Sequence, residues 1–138
     1  MPLDPEKRRA YEAAEYVVFF EPELVFRVGE PSPALDEVLD SLEAQTAAFV
    51  TAANPHGERR PDEENRAAHA ELLTSSFLAD YGTFEGEGRD PFRRWPAEPS
   101  LLIVGIARRE AAALGVAHDQ NAIVFIEKGR APELVVLV

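Results

Sequence analysis

The chain reads as an α+β fold: a single-layer mixed β-sheet of about five or six strands, covered by three or four helices and containing one βαβ unit. Three observations predict this. Short apolar runs rich in β-branched residues alternate with segments whose apolar residues recur at helical spacing. One succession, strand 100–106, helix 108–117 and strand 122–127, has the crossover length that joins parallel strands right-handedly. No repeat, low-complexity tract or long linker divides the 138 residues, so a single domain spanning 1–138 is expected.

Each element has a local reason. Asp4 and Pro5 suit the cap and first position of a short helix running to about Ala14. "YVVFF" (16–20) and "ELVFRV" (23–28) are β-branched and aromatic, with Glu21-Pro22 between them, and read as a hairpin or one bent strand. In "PSPALDEVLDSLEAQ", Ser32 is an N-cap, Pro33 takes the first helical position, and Leu35, Val38, Leu39 and Leu42 form an apolar stripe. "TAAFVTA" (46–52) reads as a buried strand. From Pro61-Asp62 a helix is expected to about Asp80, with its apolar side set by Ala70, Leu73, Phe77 and Tyr81, and with Gly82 stopping it.

"TFEGEGRDPFRRWPAEP" carries three prolines and two glycines, which predicts irregular structure around at most a short strand. "SLLIVGI" is a continuous apolar run, as a strand covered on both faces requires. "NAIVFIE" and "ELVVLV" read as strands joined through Lys128-Gly129-Arg130. The last is almost wholly apolar, which suits pairing with another copy of the chain better than a bare edge.

Composition removes several classes of function. A net charge of −11 disfavours nucleic acid and anionic membranes as partners. Arg89, Arg93 and Arg94 form a local basic group that reads as solvated loop arginines. The absence of cysteine excludes disulfides, thiolate metal sites and Cys nucleophiles. The charged N-terminal stretch lacks a signal-peptide core, and no apolar run approaches the ~20 residues of a membrane span, so a cytoplasmic location is expected.

The polar residues gather at strand ends. If strand 46–52 runs antiparallel to strands 100–106 and 122–127, its finish meets their starts. Asn54, Glu64, Asn65, Glu98, Ser100, Gln120 and Asn121 then converge at one end of the sheet, with Trp95 beside them. Asn65 and His69, one helical turn apart, face the same way. Each residue also has an ordinary reading: Asn54-Pro55 as a turn, Glu64 at a positive helix end, Asn121 at a strand entry. Arg27, on the largely apolar "LVFRV", is a candidate for a forked pair with a carboxylate such as Glu98, or for gripping an anionic ligand.

"FVTAANP", "EEN" opening a helix, "WPAEPSLLIVGI" and "DQNAIVFI", in that order, resemble the pattern of the DUF3293 family of bacterial proteins, over most of the chain from about Tyr16. The resemblance marks Thr51, Asn54, Pro55, Glu64, Asn65, Trp95, Glu98, Ser100, Gln120 and Asn121 as motif positions. It departs at Ala53, where the family carries an aromatic, and at Asp119, where the family favours Gly. The family name means unknown function, so no activity is implied.

The catalytic motifs are missing. His56, His69 and His118 lack metal-ligand spacing, no Gly-x-Ser-x-Gly elbow surrounds a serine, and Glu85-Gly86-Glu87-Gly88 has neither P-loop nor dinucleotide spacing. No metal or cofactor is therefore expected. Amides donate and accept hydrogen bonds but do not shuttle protons, so the set suits holding a small polar molecule or peptide. That binding module, with regulation as one role for it, is the first reading. An enzyme with Glu98 or Glu64 as general acid or base is the second, and a purely structural or oligomerisation module the third.

Overall fold

A computed structural model of the chain describes residues 3–138. It has four α-helices and seven strands. Helix α1 spans Pro5–Ala13, with Asp4 accepting the Glu6 N–H at 3.1 Å as its cap. Strands β1 (Glu15–Val18) and β2 (Leu24–Phe26) form a hairpin rather than one bent strand, and α2 (Pro33–Ser41) follows with Ser32 capping the Leu35 N–H. Strand β3 covers Thr46–Thr51 and α3 covers Asp62–Leu73. Then come β4 (Gly82–Arg89), β5 (Glu98–Val104), α4 (Arg108–Ala117), β6 (Ala122–Glu127) and β7 (Glu133–Val136). No helix among the described residues is long and apolar enough to cross a membrane.

The sheet order is β2-β1-β4-β5-β3-β6-β7, and every neighbouring pair is antiparallel. This corrects the expected mixed sheet of five or six strands. Strands β5 and β6 do run in the same direction around α4, as a βαβ unit requires. They are not neighbours, however, because β3 lies between them and pairs antiparallel with both. An antiparallel ladder on each side of β3 takes the place of one parallel contact.

The extra strand is β4, in the segment whose glycines suggested irregular structure. Gly82, Gly86 and Gly88 alternate onto one face together with Phe84. A Cβ on Gly86 would lie 2.0 Å from the Val17 carbonyl oxygen, so only glycine lets β1 approach this closely. The glycines thus serve the curl of the sheet. The curl brings its two outer strands together: the Gly29 N–H, just past β2, donates to the Pro132 carbonyl at 2.8 Å, just before β7. Helix α2 sits at this seam, where Asp36 accepts the Gly129 N–H and Asp40 pairs with Lys128.

Alternation along each strand divides the core in two. Inside the curl, Tyr16, Val18, Phe26, Ala47, Phe49, Leu102 and Val124 pack with Leu35 and Leu39 of α2. The rings of Tyr16, Phe26 and Phe49 lie 5.4–5.7 Å apart. On the outer face, Val50, Leu101, Ile103, Ile123 and Phe125 meet Leu72 of α3 and Ala111 and Leu114 of α4.

Helix α3 differs from its expected form in length and facing. It stops at Leu73, where Thr74 turns its hydroxyl back to the Glu71 carbonyl, and Ser76–Leu78 form a separate 3-10 turn. Its buried side carries Asn65, His69 and Leu72, whereas Leu73 and Phe77 are 41% and 42% exposed. Two polar residues hold the inward face because both have partners on the sheet side. Asn65 bonds the 54–60 loop, and His69 Nε2 lies 2.9 Å from Glu85 of β4. Strand β7 is at the sheet edge, and its residues from Leu134 to Val136 are half-buried.

Candidate functional site

Because β3 is antiparallel to both flanking strands, its end and their beginnings lie on one rim. Thr51 stands opposite Ser100, and Gln120, just before β6, donates from Nε2 to the Ala53 carbonyl at 3.1 Å. Asn54 and Gln120 are therefore on the same rim.

Asn54 organises the rim. Its backbone takes the left-handed conformation at φ 48°, which asparagine tolerates better than most residues, and this turns the chain sharply out of β3. The Asn54 N–H donates to Asn65 Oδ1 at 2.9 Å, and Asn54 Oδ1 accepts from Asn65 Nδ2 and from the Arg60 N–H, each at 2.9 Å. The remaining amide hydrogens point to Glu98, with Nδ2 donating to Oε2 at 2.5 Å. One side chain thus ties the loop, α3 and the start of β5 together.

Glu98 is the chemically distinctive group. Burial holds its carboxyl above the usual carboxylate range, against the opposing pull of the Asn54 hydrogen bond and the Arg59 charge. Only one of its oxygens is engaged by Asn54. Beside it, desolvation raises the phenol of Tyr11 above its ordinary value. The Asn121 hydrogen bond opposes this shift and the negative charge of Glu98 adds to it. Tyr16, buried and facing the same carboxylate, is raised further. The Tyr16 hydroxyl donates to the Tyr11 carbonyl, and Asn121 Nδ2 reaches the Tyr11 hydroxyl at 3.4 Å.

A cavity of about 640 Å³ opens at this rim. Helix α1 forms one wall through Lys7, Arg9 and Tyr11, and the 54–59 loop another through Asn54, Gly57 and Arg59. Asp4, Glu6, Arg94, Trp95 and Glu98 also line it. Behind Glu98 lies a smaller space of about 50 Å³, bounded by Tyr11, Tyr16, Thr51, Ser100 and Gln120. Glu98 borders both. That inner space has room for a water molecule and polar groups to bind one.

The other sequence-derived candidates sort clearly. Ser100 is buried and donates to the Glu98 carbonyl, which fixes the entry to β5. Gln120 spends its amide on Ala53 and His118, stitching loops together. Asn65 is wholly occupied by the Asn54 turn. Trp95 stands at the cavity wall under the guanidinium of Arg94 at 4.9 Å. Glu64 does not reach the rim: it is exposed in the first turn of α3, where its charge suits the helix terminus. Arg27 does not pair with Glu98 either. It lies just past β2 and bonds the Ala13 carbonyl at 3.1 Å and Glu15 at 3.2 Å, so it fastens α1 to the hairpin.

The basic loop group is largely neutralised. Arg89 pairs with Glu87 and Glu23, and Arg94 forks onto Asp90 at 2.9 and 3.0 Å. That pairing, helped by the Arg94 and Phe92 backbone N–H groups, holds the Asp90 carboxyl down at about 2.

Sequence reasoning missed Tyr11, Lys7, Arg9 and Arg59. Nothing local marks them, because α1 reads as a short charged helix. Gly57 carried a faint signal: it has φ 73°, and a Cβ there would meet Asn121 Nδ2 at 2.7 Å.

Fold and site together define an α+β domain built on a curled antiparallel sheet, with a half-buried carboxyl and an amide latch at one rim. The model of DUF3293, described as a protein of unknown function, matches residues 50–123, more than half of the chain, and the chain belongs to that family. The matched segment runs from the end of β3 into β6 and so contains the Asn54–Glu98 latch. No curated protein and no solved structure matches the chain.

Proposed function

We propose that the chain is a binding module for a small polar molecule, received in the cavity between α1 and the Asn54–Glu98 pair. One observation carries the reading: Glu98 lies at the boundary of a roomy rim cavity, one oxygen anchored by Asn54 and the other without a hydrogen-bond partner among the described residues. A carboxyl kept above its usual range and left half-satisfied is poised to exchange a hydrogen bond with a ligand. Several hundred cubic ångströms with aromatic walls and a few convergent polar groups is the ordinary form of a small-molecule site. The amide cluster has a supporting part, since Asn54, Asn65 and Gln120 use their hydrogen bonds on the protein. The test is a thermal-shift screen of polar metabolites, read together with the fluorescence of Trp95, the only tryptophan. A ligand that shifts both signals in the parent and neither in Glu98→Gln supports the reading. A ligand whose binding is indifferent to Glu98→Gln and leaves Trp95 unchanged refutes it.

The same carboxyl favours a second reading, an enzyme in which Glu98 moves a proton to or from the bound molecule. A bound ligand converted by the parent and merely held by Glu98→Gln would select this reading. Unchanged turnover in the variant would dismiss it.

A further inference from the structure

The geometry points to a small anion, bearing a phosphate or carboxylate group, as the ligand class of the α1 cavity, gripped by Lys7, Arg9 and Arg59. The inference rests on the binding reading above and adds the sign of the ligand's charge and the residues that meet it.

The chain carries 25 acidic and 14 basic side chains, so carboxylates are abundant for every cation. Most cations use them: Arg8, Arg27, Arg60, Arg89, Arg94, Arg108, Lys128 and Arg130 are all in ion pairs. Lys7, Arg9 and Arg59 are in none of the ion pairs among the described residues, yet all three line this one cavity. Arg66, Arg93 and Arg109 are likewise outside those ion pairs, but of these six cations only Lys7, Arg9 and Arg59 line this concavity.

The acids of the same lining, Asp4, Glu6 and Glu98, form no ion pair with these three among the described residues. Asp4 accepts the Glu6 N–H as the helix cap, and Glu98 gives one oxygen to Asn54. Glu6 is exposed on the first turn of α1. Lys7 and Arg9 come from α1, with the Lys7 stem beside Gly57, and Arg59 comes from the loop after Asn54. An anion between them would be met by both elements, and guanidinium forks match the paired oxygens of phosphate and carboxylate. Field lines focused by the low-dielectric walls strengthen such a grip.

There is a mechanical consequence. Helix α1 buries none of its own residues and is held mainly by Arg27 at its last turn and by Tyr11. An anion bridging Lys7 and Arg9 to Arg59 would therefore fasten α1 to the rim.

The experiment titrates the full chain with pyrophosphate and with citrate, beside maltose as a neutral probe and spermidine as a cationic one. Trp95 fluorescence, melting temperature and hydrogen exchange over residues 5–13 are followed. The expected result is binding of at least one anion, weakened about tenfold by Arg59→Gln and again by Lys7→Gln, weakened by added salt, and accompanied by slower exchange in α1. Preference for pyrophosphate assigns a phosphate ligand, and preference for citrate a carboxylate. Arg66→Gln, on the exposed face of α3 away from the cavity, leaves the affinity unchanged. Binding of maltose or spermidine alone overturns the anion inference and leaves the binding reading standing. Anion binding undiminished in the Lys7→Gln, Arg59→Gln double variant overturns the inference as well. Silence from all four probes overturns both. Both substituted residues lie outside the buried core, and circular dichroism verifies that the variants stay folded.

Discussion

Replacing Asn54 with alanine removes a side chain that holds three parts of the rim at once. Three hydrogen bonds disappear: those from the Arg60 N–H, from Asn65 Nδ2 and to Glu98 Oε2. Each is worth about 1 kcal/mol net, and the groups left behind in a partly buried place lose rather than regain solvation. Alanine must also adopt φ 48°, which costs it about 1 kcal/mol more than asparagine. The bonds share one network and do not add fully, so the expected loss is roughly 3 kcal/mol. For a domain of this size that corresponds to a fall in melting temperature of roughly 10 °C. Urea unfolding followed by circular dichroism measures the loss. Asn54→Gly separates the two contributions, since glycine accepts the left-handed backbone and should recover about 1 kcal/mol relative to alanine. A loss below about 1 kcal/mol for Asn54→Ala would refute the latch and return Asn54 to an incidental turn residue.

Two further expectations concern pH. The folded-state pKa of Glu98 is raised, so its contribution to stability is complete below its unfolded value of 4.5 and is lost as pH rises through the folded value. Glu98→Gln should therefore gain on the parent as pH increases, and a parallel pair of stability–pH curves would contradict the burial argument. Asp90 behaves oppositely: its stabilisation is present above 3.8 and is lost as pH falls through about 2. Asp90→Asn should be less stable than the parent near neutral pH, with the gap closing over that acid range in a melting series. Gly86→Ala should cost ~3 kcal/mol or more, because its Cβ would meet the Val17 carbonyl oxygen at 2.0 Å and part β1 from β4; a near-neutral denaturation midpoint would refute the close approach. Asp119 sits at φ 57°, so Asp119→Gly should be neutral or stabilising while Asp119→Val loses about 1–2 kcal/mol, as differential scanning calorimetry can resolve.

The glycine expected at the Asp119 position from the family pattern now has a conformational reason. A left-handed residue is needed there, where the Asp119 carbonyl accepts the His56 N–H at 2.7 Å. The aromatic expected at Ala53 has no comparable explanation. Ala53 is buried, and its carbonyl accepts from Gln120.

What the sequence determined by itself was local: caps at Asp4 and Ser32, the strand character of 46–51 and 100–104, and the gathering of Asn54, Glu98 and Gln120 at strand ends. Periodicity and capping report on neighbours within a few residues, so these features could be read directly. The facing of α3 could not, because apolar Leu73 and polar His69 lie on the same helix, and the presence of Glu85 across the gap gives histidine a partner on the buried side. The strand nature of β4 was hidden for a related reason: glycine signals a turn in isolation and a close strand approach when Val17 lies opposite. The tertiary structure alone placed β3 between β5 and β6 and brought Tyr11 to Asn121, 110 residues away. It alone buried Glu98 enough to raise its pKa and left Lys7, Arg9 and Arg59 lining one cavity. Long-range pairing and desolvation depend on what the rest of the chain removes from water, and no stretch of residues carries that information about itself.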